Sequence, residues 1–143
     1  MIRFTKIING VCTDKWLKWC GASAQSHLGF LILIKTEIVI YVRYKYDEYI
    51  RHESIHLLQA RELLIIFWYL VYGINFLIAF LPRLFKIIIS KESYVSFKTF
   101  KNIILTDFWD SYREIIFEVE AYAHENDIDY LKTRKLFACF RKK

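Results

Sequence analysis

The chain carries two histidines four residues apart, with a glutamate directly after the first: His52-Glu53-Ser54-Ile55-His56. On a helix, residues four apart lie one above the other on the same face. Both imidazoles can therefore bind one Zn2+. Glu53 then sits beside a water on the metal. The metal lowers the pKa of that water, and the carboxylate takes its proton and later passes it on. Average residue usage gives such a spacing by chance in roughly one of a few hundred chains of this length. The pattern therefore needs a helix to display it and a third ligand, because a catalytic zinc takes three protein ligands and keeps one position open.

The distal part of the chain offers that ligand. From 107 to 129 there are eight acids and one base, Arg113. Read as a helix, this stretch puts Glu118, Ala121, Tyr122 and Glu125 on one face. Ala121, small and one turn beyond Glu118, lets the helix approach a metal closely. Glu120 lies about 200° around the axis from Glu118, so only one of the two can be the ligand. Glu120 with His124, at i and i+4, is an alternative ligand set. His27 and His124 otherwise read as non-ligands. Gln59, seven residues after His52 on the same face, either supports an imidazole from behind or bonds a neighbouring helix.

These residues resemble a known pattern. HExxH followed by a Glu on a later helix is similar to the gluzincin metallopeptidases. Glu118-Val-Glu-Ala121 resembles the E-x-x-A-D ligand helix of the CAAX-type membrane metalloproteases. HESIHLLQARELL together with FEVEAYAHENDIDYLKTRK resembles a group of short HExxHxxQ…FExEAY proteins. The resemblance covers roughly residues 50–80 and 110–137. It implies zinc at His52, His56 and Glu118, with Glu53 as general base, in a minimal zincin-like domain. Tyr122 stands where the membrane proteases carry a supporting Asp. Tyr122 and His124 are the candidates for oxyanion stabilisation.

The elements that must position these groups read as follows. WLKWC at 16–20 suggests a short helix or an interfacial turn, and the small, polar 21–27 a loop. Residues 29–35 and 37–45 are rich in Ile, Val and Tyr, and the second alternates, which predicts two short strands or one long one. The later strand could hold an extended peptide by edge pairing. A long active-site helix is expected from about Asp47, a plausible N-cap, to about Leu81, ended by Pro82. A basic, Ser-rich linker at 82–106 leads to a second, ligand-bearing helix that starts at Thr106 or Asp107. Its apolar spacing is Phe108, Tyr112, Ile115, Val119 and Tyr122.

Within the long helix, residues 63–81 are nineteen in a row without a formal charge, about the length that crosses bilayer hydrocarbon. Arg61, Arg83 and Lys86 flank it, but Tyr72, Gly73 and Asn75 fall near its middle. A membrane span, a core helix and an interfacial helix are all compatible with this, and membrane association is favoured over a cytoplasmic location.

Composition sets the frame. The chain has 143 residues, 55% hydrophobic, 18% aromatic, four Gly and one Pro, which fits one domain with a real core and excludes a disordered or collagen-like chain. Net charge is +6, yet the last twelve residues hold six bases and no acid, leaving a body with fifteen of each sign. A neutral domain with a basic tail (132–143) argues against nucleic acid as a partner. The tail suits an anionic membrane surface or is a solvated terminus. Three cysteines without CxxC argue against a disulfide framework and for buried, inert thiols in a reducing compartment. No signal peptide is expected at the N-terminus.

The fold class expected is α+β, mostly α: a short sheet, a long active-site helix and a second ligand-bearing helix. The function expected is a zinc-dependent hydrolase, most plausibly a peptidase acting on a peptide or protein. The alternative is a non-catalytic, membrane-associated protein whose His/Glu cluster ties two helices together.

Overall fold

The computed structural model describes residues 6–8, 11–20, 22–27, 31–41, 43–89 and 97–141. It is α+β and mostly helical. Strand β1 (Lys6–Ile8), helix α1 (Val11–Cys20), strand β2 (Ala24–His27) and strand β3 (Leu31–Ile34) come first. β3 is central. It pairs parallel with β1, Ile7 opposite Ile32, and antiparallel with β2, Ala24 opposite Ile34. Its sequence, Leu-Ile-Leu-Ile, is apolar on both faces, as a central strand requires; Ile32 and Ile34 are fully buried with Leu17 of α1. Residues 24–27, expected as loop, are thus the strand that packs against the active-site helix.

The segment 37–45 is not a strand. Helix α2 (Thr36–Tyr41) and the start of helix α3 (Arg43–Glu62) occupy it. The switch is local. Asp14 of α1 accepts the first free N–H of the new helix, Thr36 N to Oδ1 at 2.8 Å, while the Lys35 carbonyl takes the N–H groups of Ile38 and Val39. A helix N-terminus supplied with a carboxylate outweighs the strand preference of β-branched residues. Asp47 accordingly lies inside α3 rather than at its cap.

The expected single helix to Leu81 is two helices. α3 ends at Glu62, and α4 (Leu64–Ile89) starts at once, after a break in which Leu64 takes φ 53°. Twelve helical residues would hold His56 and Trp68 about 18 Å apart, yet their rings lie 6.0 Å apart. The bend folds α4 back against the motif. Pro82 does not end α4; it sits on the exposed side, and the guanidinium of Arg83 donates to the Ala79 carbonyl at 3.1 Å in the turn beside it.

Helix α5 (Phe97–Arg113) begins well before Thr106, so the expected linker is mostly helical; residues 90–96 of it lie outside the described residues. Thr106 and Ser111 turn their hydroxyls back to the carbonyls of Asn102 and Asp107, which is how such residues sit inside a helix rather than cap it. At Ile115 the chain becomes extended (ψ 130°) and helix α6 (Ile116–His124) follows. Buried Ile115 and Phe117 pack with Trp68 and Ala60, joining α3, α4 and α6 in one core. Val119 faces outward and Tyr122 is half exposed. Helix α7 (Tyr130–Thr133) and a last turn, Ala138–Phe140, complete the chain.

Candidate metal centre

The motif half of α3 is enclosed on almost all sides: His52, Glu53, Ser54, Ile55, His56 and Leu57 are all buried, as are Gln59 and Ala60. β2 covers one flank and α6 the other. Buried polar groups must find partners, and their partners define the site.

His52 and His56 project one turn apart, as the i, i+4 spacing dictates, and their Nε2 atoms lie 3.1 Å apart. Glu118 of α6 completes the set. Its Oε2 is 3.3 Å from His52 Nε2 and its Oε1 3.2 Å from His56 Nε2. Zinc–ligand bonds of about 2.0–2.1 Å in tetrahedral array place donor atoms about 3.3 Å from one another. The three separations are of that size, with the carboxylate meeting each imidazole through a different oxygen; taking one atom from each residue, all three lie within 4.8 Å of one another.

The protons tell the same story. Gln59 gives its amide nitrogen to the Phe117 carbonyl and to Glu120 Oε2, both at 3.1 Å. Its Oε1 is therefore left as an acceptor, 2.8 Å from His56 Nδ1. His56 must carry its neutral-state proton on Nδ1. Likewise His52 Nδ1 lies 2.9 Å from the Glu125 carboxylate, and the Arg51 Nε–H donates to the backbone carbonyl of Glu125 at 2.6 Å. Both Nε2 lone pairs thus face a carboxylate. Among the described residues, buried Glu118 Oε2 has no hydrogen-bond partner. Three electron-pair donors converge, and a buried cluster of this kind could hold a metal ion.

Electrostatics follow from this crowding. Burial opposes the charge on Glu118, but His56 and His52 outweigh it and hold the carboxyl well below the usual range. Burial also opposes charge on His56; Glu118 and then Glu53 prevail and raise its pKa to about 9 when only a proton is available. Burial raises Glu53 above the ordinary carboxylate value, partly offset by the two imidazoles and a hydrogen bond from Ser26 of β2. A carboxyl with a raised pKa beside two imidazoles that could hold a metal ion is suited to moving a proton.

The remaining candidates sort by place. Tyr122 lies edge-on to His52, ring centroids 4.6 Å apart, and is half exposed. His124 stacks on Tyr130, ring centroids 3.6 Å apart. Glu120 accepts from Gln59, from the Tyr130 hydroxyl at 3.0 Å and from Arg134 at 2.5 Å. It is committed to a cation already, so the Glu120/His124 set is not assembled. His27 bonds Gln25 at 3.1 Å.

Sequence reasoning missed three contributors. Tyr72 of α4 donates to Glu118 Oε1 at 2.7 Å; it reaches the site only because of the bend at Leu64, which no local signal announces. Glu125 had a usable signal: it lies seven residues after Glu118, as Gln59 lies seven after His52. Arg134, read as part of a solvated tail, is buried and binds both Glu62 and Glu120.

Compared with protein-family models, curated proteins and solved structures, the chain matches none.

Proposed function

We propose that this protein is a zinc-dependent hydrolase acting on peptide bonds at a membrane surface. The observation that carries the reading is the convergence of His52 Nε2, His56 Nε2 and the Glu118 carboxylate, each 3.1–3.3 Å from the others, with Gln59 and Glu125 fixing both tautomers from behind. A zinc ion held there supplies a Lewis acid for the scissile carbonyl and lowers the pKa of water in its field. Glu53 takes the proton from the attacking water at a carboxylate oxygen. As the C–N bond breaks, Glu53 delivers that proton to the leaving amine nitrogen. β2 is an edge strand beside Glu53, so an extended substrate is placed by pairing along Gln25–His27, where the segment 37–45 had been expected to act. Membrane association rests on α4, which is long and apolar enough to cross a bilayer.

Metal analysis of the purified protein tests the site. Glu118→Ala should lose zinc and Glu120→Ala should keep it; the reverse result overturns the ligand set. Glu53→Gln should retain zinc and lose cleavage of a quenched-fluorescence peptide mixture, and unchanged cleavage excludes the general base.

A second reading has its own support. His52, Glu53, His56 and Glu118 are all less than 8% exposed, which suits an ion that ties α3 to α6 without turnover. In that case Glu53→Gln leaves every catalytic assay at background and only Glu118→Ala shifts the melting temperature.

A further inference from the structure

Helix α4 is amphipathic in the inverted sense. Of its polar side chains, Tyr72, Asn75 and Arg83 lie on the side packed within the molecule, Tyr72 on Glu118 and Arg83 on Ser111 and Glu114, while Tyr69 and Lys86 are exposed beside the apolar face. Its other side, through Ile66, Leu70, Ile74, Ile78, Leu81 and Phe85, is an unbroken apolar stripe, with Ile66 80% and Ile78 68% exposed. Only 6% of the apolar window is buried inside the molecule, so this is not a core helix. The stripe runs most of a 26-residue helix, about 39 Å. The six side chains of the stripe offer no hydrogen bond, whereas a protein–protein interface carries about one hydrogen bond per 100–200 Å2.

The packed side decides how such a helix meets lipid. α5 runs antiparallel along α4, with Tyr112 opposite Tyr72 and Phe108 against Phe76 and Phe80. Asp110, Arg113 and Glu114 stay in water at the level of 72–83. An α4 standing across the bilayer would carry these charges, and the His/Glu cluster beyond Tyr72, into hydrocarbon, where charged side chains are strongly disfavoured. A helix lying flat keeps all of them on the aqueous side. Among the described residues, exposed Lys86 of α4 and exposed Lys101 near the start of α5 put positive charge at the C-terminal end of the stripe.

We infer that α4 lies in the plane of an anionic membrane surface, its Ile66–Phe85 stripe sunk among the acyl chains and α5, α6 and the metal cluster facing water. The inference rests on the membrane association proposed above and is independent of the zinc chemistry. Long apolar faces bind interfaces in this manner, helped by bases at the headgroups.

Vesicle flotation of the full chain tests it. Binding should be strong to phosphatidylglycerol-containing vesicles and weaker to phosphatidylcholine alone; equal binding overturns the headgroup contact. Ile74→Glu with Ile78→Glu should weaken binding by more than about tenfold with melting unchanged. In a background where Cys12, Cys20 and Cys139 are Ala, a nitrobenzoxadiazole dye at Ile78→Cys should shift blue on vesicles, and one at Lys101→Cys should not. Dye at Leu64→Cys and at Ile89→Cys should both be quenched by dithionite added outside. Protection of one end means a span and overturns the flat orientation while membrane association stands. Absence of binding, with Ile78→Cys cross-linking between copies, means that the stripe is covered by a second molecule and overturns both.

Discussion

At the scale of single residues, the cluster is set by groups one layer behind the three donors. Gln59 and Glu125 each accept the Nδ1–H of one imidazole and aim its Nε2 inward. Removing such partners of metal-bound histidines lowers metal affinity by roughly 10–100-fold. Gln59→Leu and Glu125→Gln should each weaken zinc binding within that range, measured by competition with a chromophoric chelator, while the fold persists. Gln59→Leu should be the more damaging to stability, since it also strands the Phe117 carbonyl and Glu120. Affinity equal to the parent in both variants removes them from the site. The two histidines could be read from the sequence because helical geometry relates residues four apart, and Glu118 through the acidic segment and the resemblance to gluzincins. Tyr72 could not, because its position depends on a bend set by one backbone angle.

The elements meet at two joints that the periodicity of the sequence does not mark. At the first, Leu64 holds φ 53° in the left-handed region, which disfavours any side chain and most of all a β-branched one. Leu64 is well exposed, so its side chain contributes little packing in water. Leu64→Gly should therefore be stabilising by up to about 1–2 kcal/mol in detergent-free solution, and Leu64→Val, branched at Cβ, should be destabilising, both read by urea denaturation. If both variants behave alike, the left-handed geometry is not what joins α3 to α4. The second joint closes the molecule. Arg134, following α7, binds Glu62 at the end of α3 and Glu120 of α6, and Glu62 also accepts the Phe137 N–H at 3.1 Å. All three charged side chains are buried. Taking the guanidinium away leaves two buried carboxylates, so Arg134→Ala should cost about 3–5 kcal/mol. A tail base that floated in solvent would cost nothing. Charge counting alone placed Arg134 in a tail because composition does not see burial. Alternation likewise assigned 37–45 to a strand, since a β-branched pattern carries no information about Asp14 arriving from α1 to cap a helix there.

For the whole molecule, the site sits where α3, α4 and α6 meet, so occupancy of the cluster should govern global stability. The α+β, mostly helical plan was legible from composition and from the apolar runs. The way the sheet covers one flank of α3 and α6 the other was not, because those contacts lie far apart in sequence. Occupancy and pH act together here. Without metal, Glu118 holds a proton on His56, whose pKa is raised from the ordinary 6.5 to about 9. The folded chain then binds more protons than the unfolded one across that interval. The stabilisation is full below about 6.5 and is lost as pH rises through about 9, on the order of 3 kcal/mol at most. Burial raises Glu53 as well, and its contribution falls with rising pH in the same sense. With zinc the direction reverses. The ligands bind the ion only after the proton leaves, so affinity grows with pH, and free zinc at a thousand times its dissociation constant adds about 4 kcal/mol. For a chain of this size each kcal/mol moves the melting temperature by roughly 2–4 °C. The melting temperatures of chelator-treated and zinc-loaded protein should therefore differ by about 10 °C near neutral pH, and the gap should widen towards pH 9. A gap that narrows over that interval would mean that no proton occupies the empty cluster, and that Glu118 and His56 are not the electrostatic pair on which the centre is built.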